Sequence, residues 1–249
     1  PGIPSQAALL GFDPALRPLR HHELLSYLEA LAEASPRAVI RDYAMTHEGR
    51  RMIYFAVSDE ATIARLDDVR AEHAARVDPR GRAAGNDAAL LRDAKAVAWM
   101  AYGIHGDELS SVDAAAAVAY WLVACEDDLA RKMRAELVVL IDPCENPDGR
   151  ERFLSQTTAF AHARPNPDTE DLSHTTVWPW GRGNHYLFDL NRDWFSMVHP
   201  ESRRSAEIAG WNPQLMVDSH EMGSSDTYLF SPPRDPYNPN WPTGTLRSA

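Results

Sequence analysis

The sequence predicts an α/β fold, a mixed, mostly parallel central sheet flanked by helices. Three observations carry this. "AKAVAWMAYGI" (94–104) and "AELVVLID" (135–142) are continuous apolar runs, as strands covered on both faces are. Between them lies the alanine-rich "LSSVDAAAAVAYWLVAC" (109–125), long enough for a helical crossover joining parallel strands. "HHELLSYLEALAEAS" (21–35) repeats apolar residues at helical spacing and reads as an amphipathic helix.

The remaining elements follow in order. Residues 1–20 are proline-rich and aperiodic, an extended lead-in. "AVIRDYA" (38–44) and "RMIYFAVS" (51–58) read as two strands joined by the glycine turn "MTHEGR". "DEATIARLDDVRAEHAARV" (59–77) reads as a helix with Asp59 at its start. "GRAAGNDAA" (81–89) reads as a loop. From 144 to 200 the chain is rich in Pro, Asn, Asp, Gly, His and Trp. A segment this long without periodicity is functional or disordered, and its tryptophans argue against disorder. "ESRRSAEIAGW" (201–211) reads as a helix and "QLMVDSHEMG" (214–223) as a short buried strand ending at a histidine. No repeat and no break in composition divides the 249 residues, so 1–249 reads as a single domain.

Charge and composition exclude several classes. The net charge of −11, with no basic run, argues against a nucleic-acid partner. No apolar stretch approaches the roughly 20 residues that span a bilayer. Two cysteines, Cys125 and Cys144, make neither a disulfide framework nor a zinc knuckle, although they could pair. "PGIPSQAALL" lacks the charged start and apolar centre of a signal peptide. A start at Pro1 suggests a processed or trimmed chain, so the missing signal does not fix the compartment. Neither a Gly-x-Ser-x-Gly elbow nor a glycine-rich phosphate loop is present.

Chemistry-bearing residues collect at predicted strand ends, the edge where open α/β sheets bind ligands. They are His105 with Glu108 in "AYGIHGDELSS", Asp142 through Asp148, and Asp218 with His220. His105 and Glu108, three apart at a strand-to-helix junction, project to one side of the first turn. Two histidines and a glutamate suit zinc and leave a fourth position for water. Against this, a glutamate in a first helical turn is favourable in any protein, and a lone histidine after a strand is commonly a hydrogen-bonded surface residue. "FDLNRDW" (188–194) brings Asp189, Asn191 and Arg192 together, and on a strand Asp189 and Asn191, two apart, would turn to one face with Arg192 next to them in the chain. Arginine offers a planar fork for a carboxylate, and asparagine adds a directed donor.

Together these pieces resemble the zinc carboxypeptidases, the M14 metallopeptidases related to carboxypeptidase A. "HGDE", "NPDG" (146–149), "DLNRDW" and "VDSHEMG" occur in the family's order, and "EGRRMIYFAVS" is similar to its early strands. The resemblance runs from about 36 to 230 and implies a zinc carboxypeptidase-like fold. It implies one zinc ion on His105, Glu108 and His220, with Asp189 orienting His105. Asn191 and Arg192 would bind the free C-terminal carboxylate of a peptide or peptide-like substrate. Arg182 in "WGRGNHY" would stabilise the oxyanion, with Arg150, Arg152 and Arg164 as fallbacks. Export, to the periplasm or outside the cell, is implied as well.

The sequence departs from the family late. The general base is expected well after the third zinc ligand, yet no glutamate follows Glu221. Glu221 adjoins His220, and in an extended segment their side chains diverge. The chain therefore reads as incomplete at the C-terminus, with "SPPRDPYNPNWPTGTLRSA" (231–249) a loop. Two alternatives stay open: a related zinc deacylase or amidase, and a catalytically inactive binding module of the same fold.

Overall fold

The computed structural model describes residues 2–78, 80, 94–164 and 166–222. The expected loops at 81–89 and 231–249 lie outside them. Five strands form one mixed sheet: β1 (Ala38–Met45), β2 (Arg51–Val57), β3 (Ala96–Tyr102), β4 (Leu137–Asp142) and β5 (Leu215–Ser219). Their order is β1-β2-β4-β3-β5. β2 is antiparallel to both β1 and β4, while β3 is parallel to β4 and to β5. Four strands thus run one way and β2 alone runs the other.

Side chains alternate across the sheet and divide its core into two layers. Ile53, Phe55, Val57, Val139 and Ile141 face the helix His21–Ala34 and the Ala-rich crossover helix Ser110–Ala124. Tyr54, Ala56, Val97, Trp99, Ala101, Val138 and Leu140 face the opposite way, against Leu66 and Trp211. Leu66 opens helix Leu66–Val77, and Trp211 closes helix Arg204–Trp211. Alanine at 115, 116 and 119 lets the crossover helix lie close on the sheet, and all three are fully buried.

Several expectations need correction. The lead-in is not wholly extended. Residues Gln6–Leu10 form one helical turn between the Ser5 cap and Gly11, and Leu19 is fully buried in the core. The helix expected at 59–77 is two helices, Glu60–Ala64 and Leu66–Val77, broken at Arg65; Asp59 caps the first. A second helix, Asp128–Glu136, follows the crossover helix before β4. The 144–200 stretch is not wholly irregular, because Pro147–Ala159 is a helix. Asn146 caps it by accepting from the Gly149 N–H at 2.9 Å, and proline sits in its first turn. β5 is not buried: it is the edge strand among the described residues, with Leu215 and Met216 exposed. Cys125 and Cys144 are both free thiols.

Candidate metal centre

β3, β4 and β5 end on the same edge of the sheet, and the chain beyond two of them builds the centre. β3 and β5 are neighbours, with Tyr102 beside Ser219. The residues leaving them therefore bring His105 and His220 to a centroid separation of 4.9 Å. Glu108 does not sit inside a helix. It ends a tight turn in which its N–H faces the His105 carbonyl at 3.3 Å, ahead of the helix that starts at Ser110.

The orientation of the two rings is the central observation. His105 places Nδ1 2.7 Å from one Glu108 oxygen and Nε2 3.0 Å from Asp189. His220 places Nδ1 3.0 Å from the other Glu108 oxygen and Nε2 3.0 Å from Asp218. Both Nδ1 atoms thus converge on one carboxylate, and both Nε2 atoms are backed by an aspartate. A carboxylate has no proton to give. An imidazole between two of them needs a second proton or a cation on one side. An Nε2–H donating to each aspartate leaves both Nδ1 lone pairs facing Glu108, the way metal-ligating histidines are commonly held. One atom from each of His105, Glu108 and His220 lies within 4.8 Å of the others. Two imidazoles and a carboxylate are a zinc donor set, and these residues fit such an ion.

Electrostatics agrees with tight coupling. Burial works against a charged His105, yet the hydrogen bond and charge of Glu108 hold its pKa above the ordinary value. Burial likewise opposes ionisation of Glu108, but bonds from His105 and from the Glu221 N–H, at 2.9 Å, keep its pKa low. The Glu221 carboxylate accepts from the Ser110 N–H, capping the helix beside the site.

Arg182 enters the same network. Its Nε and one terminal nitrogen lie 3.1 Å from Asp189, and the other terminal nitrogen is 3.6 Å from Glu108. Asn191 holds its amide nitrogen 3.4 Å from His220 Nε2, while its oxygen accepts from Trp194 at 2.9 Å. The expected strand here is absent. Asp189 accepts from the Asn191 N–H at 2.9 Å and curls Leu190–Arg192 into a 3-10 turn. The turn leaves Asp189 and Asn191 touching the two histidines and Arg192 exposed, bonded to the Asn191 carbonyl at 3.1 Å.

The fallback arginines serve elsewhere. Arg150 is buried and donates to the Leu19 and Leu109 carbonyls and to Asp113. Arg152 donates to the Trp180, Gly183 and Asn184 carbonyls and fixes the loop that carries Arg182. Arg164 lies exposed in the following loop.

The middle cluster does not join the centre either. Asp148 binds Thr46, the Glu48 N–H and Arg50, which ties the "NPDG" turn to the β1–β2 turn. Asp142 and Glu145 are fully buried beside Tyr43 and Arg204. Burial pushes Asp142 up to about 7, against the Tyr43 bond and the charge of Arg204.

Glycines explain why short motifs from distant places pack behind the centre. A Cβ on Gly106 would fall 2.2 Å from Arg150 N and from Gly149 C, and 2.6 Å from Gly181 O. A Cβ on Gly149 would fall 2.4 Å from Gly181 O and 2.5 Å from Gly183 O. "HGDE", "NPDG" and "GRG" therefore meet backbone to backbone, a distance only glycine permits. Asp218, near the end of β5 and two positions before His220, is the site residue for which the sequence reading gave no role. The spacing of two was the available signal, because it puts both side chains on one face.

Comparison with known proteins bears on the family and the fold. The family described as zinc carboxypeptidase matches residues 24–237. Among solved structures the chain is similar to a carboxypeptidase A from Helicoverpa armigera: TM-score 0.51, 16% identity, covering 84% of this chain and 47% of that one. It is also similar to a metallo-carboxypeptidase from Burkholderia cenocepacia: TM-score 0.51, 18% identity, covering 82% of this chain and 41% of that one. At these identities the likeness establishes the fold. The chain spans less than half the length of either structure. No curated protein matches it in sequence. Among the described residues no helix is long and apolar enough to cross a membrane.

Proposed function

Because the chain belongs to the zinc carboxypeptidase family, we propose that it serves hydrolysis of the last peptide bond of substrates with a free C-terminal carboxylate. One zinc ion is held by His105, Glu108 and His220. The observation that carries the reading is the convergence of both Nδ1 atoms on Glu108, with Asp189 and Asp218 behind the two Nε2 atoms. When bound, zinc supplies Lewis acidity and a water acidified to a pKa of roughly 7.

The protein's own residues do the rest. Asp189 and Asp218 keep the two Nε2 protons in place and so hold the rings in a ligating orientation. Arg182, half exposed and anchored by Asp189, offers its terminal nitrogens to the oxyanion of the tetrahedral intermediate. A well-placed donor of this kind is worth about 3 kcal/mol. Asn191 and Arg192 grip the substrate carboxylate. Arg192 is exposed and, among the described residues, bonded to the Asn191 carbonyl alone, which leaves most of its fork for a bidentate partner. That grip sets the register of the scissile bond against the metal. The domain assignment, one peptidase domain over 1–249, belongs to the same reading.

Two measurements test it. Zinc analysis of the purified protein and of His105→Ala should lose one equivalent in the variant. Hydrolysis of matched peptides with free and amidated C termini should favour the free acid, and Arg192→Ala should erase the preference by raising KM. Equal cleavage of both peptides by the unaltered protein refutes the carboxylate grip.

A further inference from the structure

A second group of metal donors lies at the β1–β2 turn and shares no residue with the first. His47 stands in that turn; His199 and Glu201 stand at the start of the 3-10 helix Pro200–Arg203. One donor atom from each lies within 4.8 Å of the others. His47 Nε2 is 3.1 Å from His199 Nδ1 and 3.9 Å from Glu201 Oε2.

Glu201 is the telling member. Its side chain is fully buried, and neither carboxylate oxygen has a hydrogen-bond partner among the described residues. A buried carboxylate without partners is strongly unfavourable unless a cation or a proton compensates it. His47 at 3.9 Å is too far for a hydrogen bond. A proton shared between the two imidazoles would satisfy both rings and still leave Glu201 bare. A single divalent ion satisfies all three. Two nitrogens bound to zinc at roughly 2.0–2.1 Å in tetrahedral geometry stand about 3.3 Å apart, close to the 3.1 Å between these rings.

The donors are held in advance. The buried Asp193 carboxylate accepts from the Val198 N–H at 3.0 Å, the His199 N–H at 2.9 Å and the Ser202 hydroxyl, which fixes the backbone on both sides of His199. Phe188 packs on the His199 ring and Tyr186 stands edge-on to His47, both at 4.7 Å between centroids. Thr46 and Arg50 close the turn that carries His47.

We propose that His47, His199 and Glu201 form a second zinc-class site that clasps the β1–β2 turn to the segment leading on from Asn191. Two imidazoles with one carboxylate favour a borderline ion over calcium or magnesium, which take all-oxygen sets. Removal of its metal loosens the 193–203 segment without removing any ligand of the first centre.

The test is zinc titration by calorimetry into metal-stripped His105→Ala protein, in which the first centre has lost a ligand. The expected result is one equivalent bound, absent in His105→Ala/His47→Ala and in His105→Ala/His199→Ala. Zinc should raise the melting temperature of the single variant and leave that of the doubles unchanged. His47 lies on an exposed turn, so its replacement leaves the fold intact, as far-UV circular dichroism of the doubles should record. No zinc bound by His105→Ala overturns the proposal, and so does an equivalent that survives both second substitutions. Failure of the first centre reads differently: unaltered protein and His105→Ala would then bind the same number of ions.

Discussion

Replacing Gly106 by alanine should damage the fold and the metal centre together. The new methyl would sit 2.2 Å from two backbone atoms of the helix that starts after Asn146, and 2.6 Å from the Gly181 carbonyl. Ordinary carbon contacts begin near 3.5 Å, so a separation of more than 1 Å must be opened. Backbone on both sides blocks relief by rotating a side chain. Overpacking of this kind costs about 1–3 kcal/mol and occasionally more. With three backbone segments meeting at one point, we place Gly106→Ala at about 3 kcal/mol, read as a lower urea midpoint with an unchanged slope. The same movement carries His105 one residue before and Glu108 two after. A misplacement near 1 Å is worth about 100-fold in rate at a catalytic centre, so zinc retention should fall alongside stability. Gly2→Ala, where nothing lies within 4 Å of the new methyl, is the control. If Gly106→Ala unfolds at the same midpoint as the unaltered protein and keeps its zinc, the packing of these motifs is not what holds the centre.

Three further outcomes are expected. Asp218→Ala removes the acceptor behind His220 and should weaken zinc binding about 10–100-fold in a chelator competition, with little change in the urea midpoint. Arg150→Met leaves half-buried Asp113 without its guanidinium partner, 2.8 Å away. Breaking such a pair costs about 3–5 kcal/mol, a loss visible in thermal melts. His21 is buried with Nε2 2.8 Å from the Arg51 carbonyl, and burial lowers its pKa to about 4, against the help of that bond. Its folded pKa lies below the unfolded value near 6.5. The stability held by neutral His21 is therefore complete above pH 6.5 and lost as pH falls toward 4. The span corresponds to about 3 kcal/mol, measured as the pH-dependent difference between the protein and His21→Gln. A difference that stays flat from pH 7 to 4 would count against the buried neutral imidazole.

The strands were legible because their physics is local. Val97 to Tyr102 and Val138 to Ile141 are covered on both faces, so they read as unbroken apolar runs. The helix at Pro147–Ala159 was not legible to a reading that treats Asn, Pro, Asp and Gly as loop residues. The same four residues are a helix start when asparagine caps and proline takes the first position. The turn at 190–192 failed for another reason. Three residues are too few to show a period, and what decides their path is the Asp189 carboxylate, which binds its own chain and His105 at once.

What the sequence conveys about the centre depends on how its residues are brought together. His105 with Glu108, and Asp218 with His220, are neighbours along the chain, so spacing reveals each pair before any fold is known. Their convergence needs β3 and β5 to be adjacent and parallel, as they are, although β4 and the helices around it lie between them in the chain. His47, His199 and Glu201 have no such path. Nothing near His47 hints at a partner 152 positions away. Its approach depends on how the β1–β2 turn and the segment after Asn191 pack, with Asp193 fixing the latter. A donor set assembled by loop packing is invisible to spacing. It comes to light through an orphaned polar group, here the Glu201 carboxylate, buried with two imidazole nitrogens in reach and no hydrogen bond from any described residue.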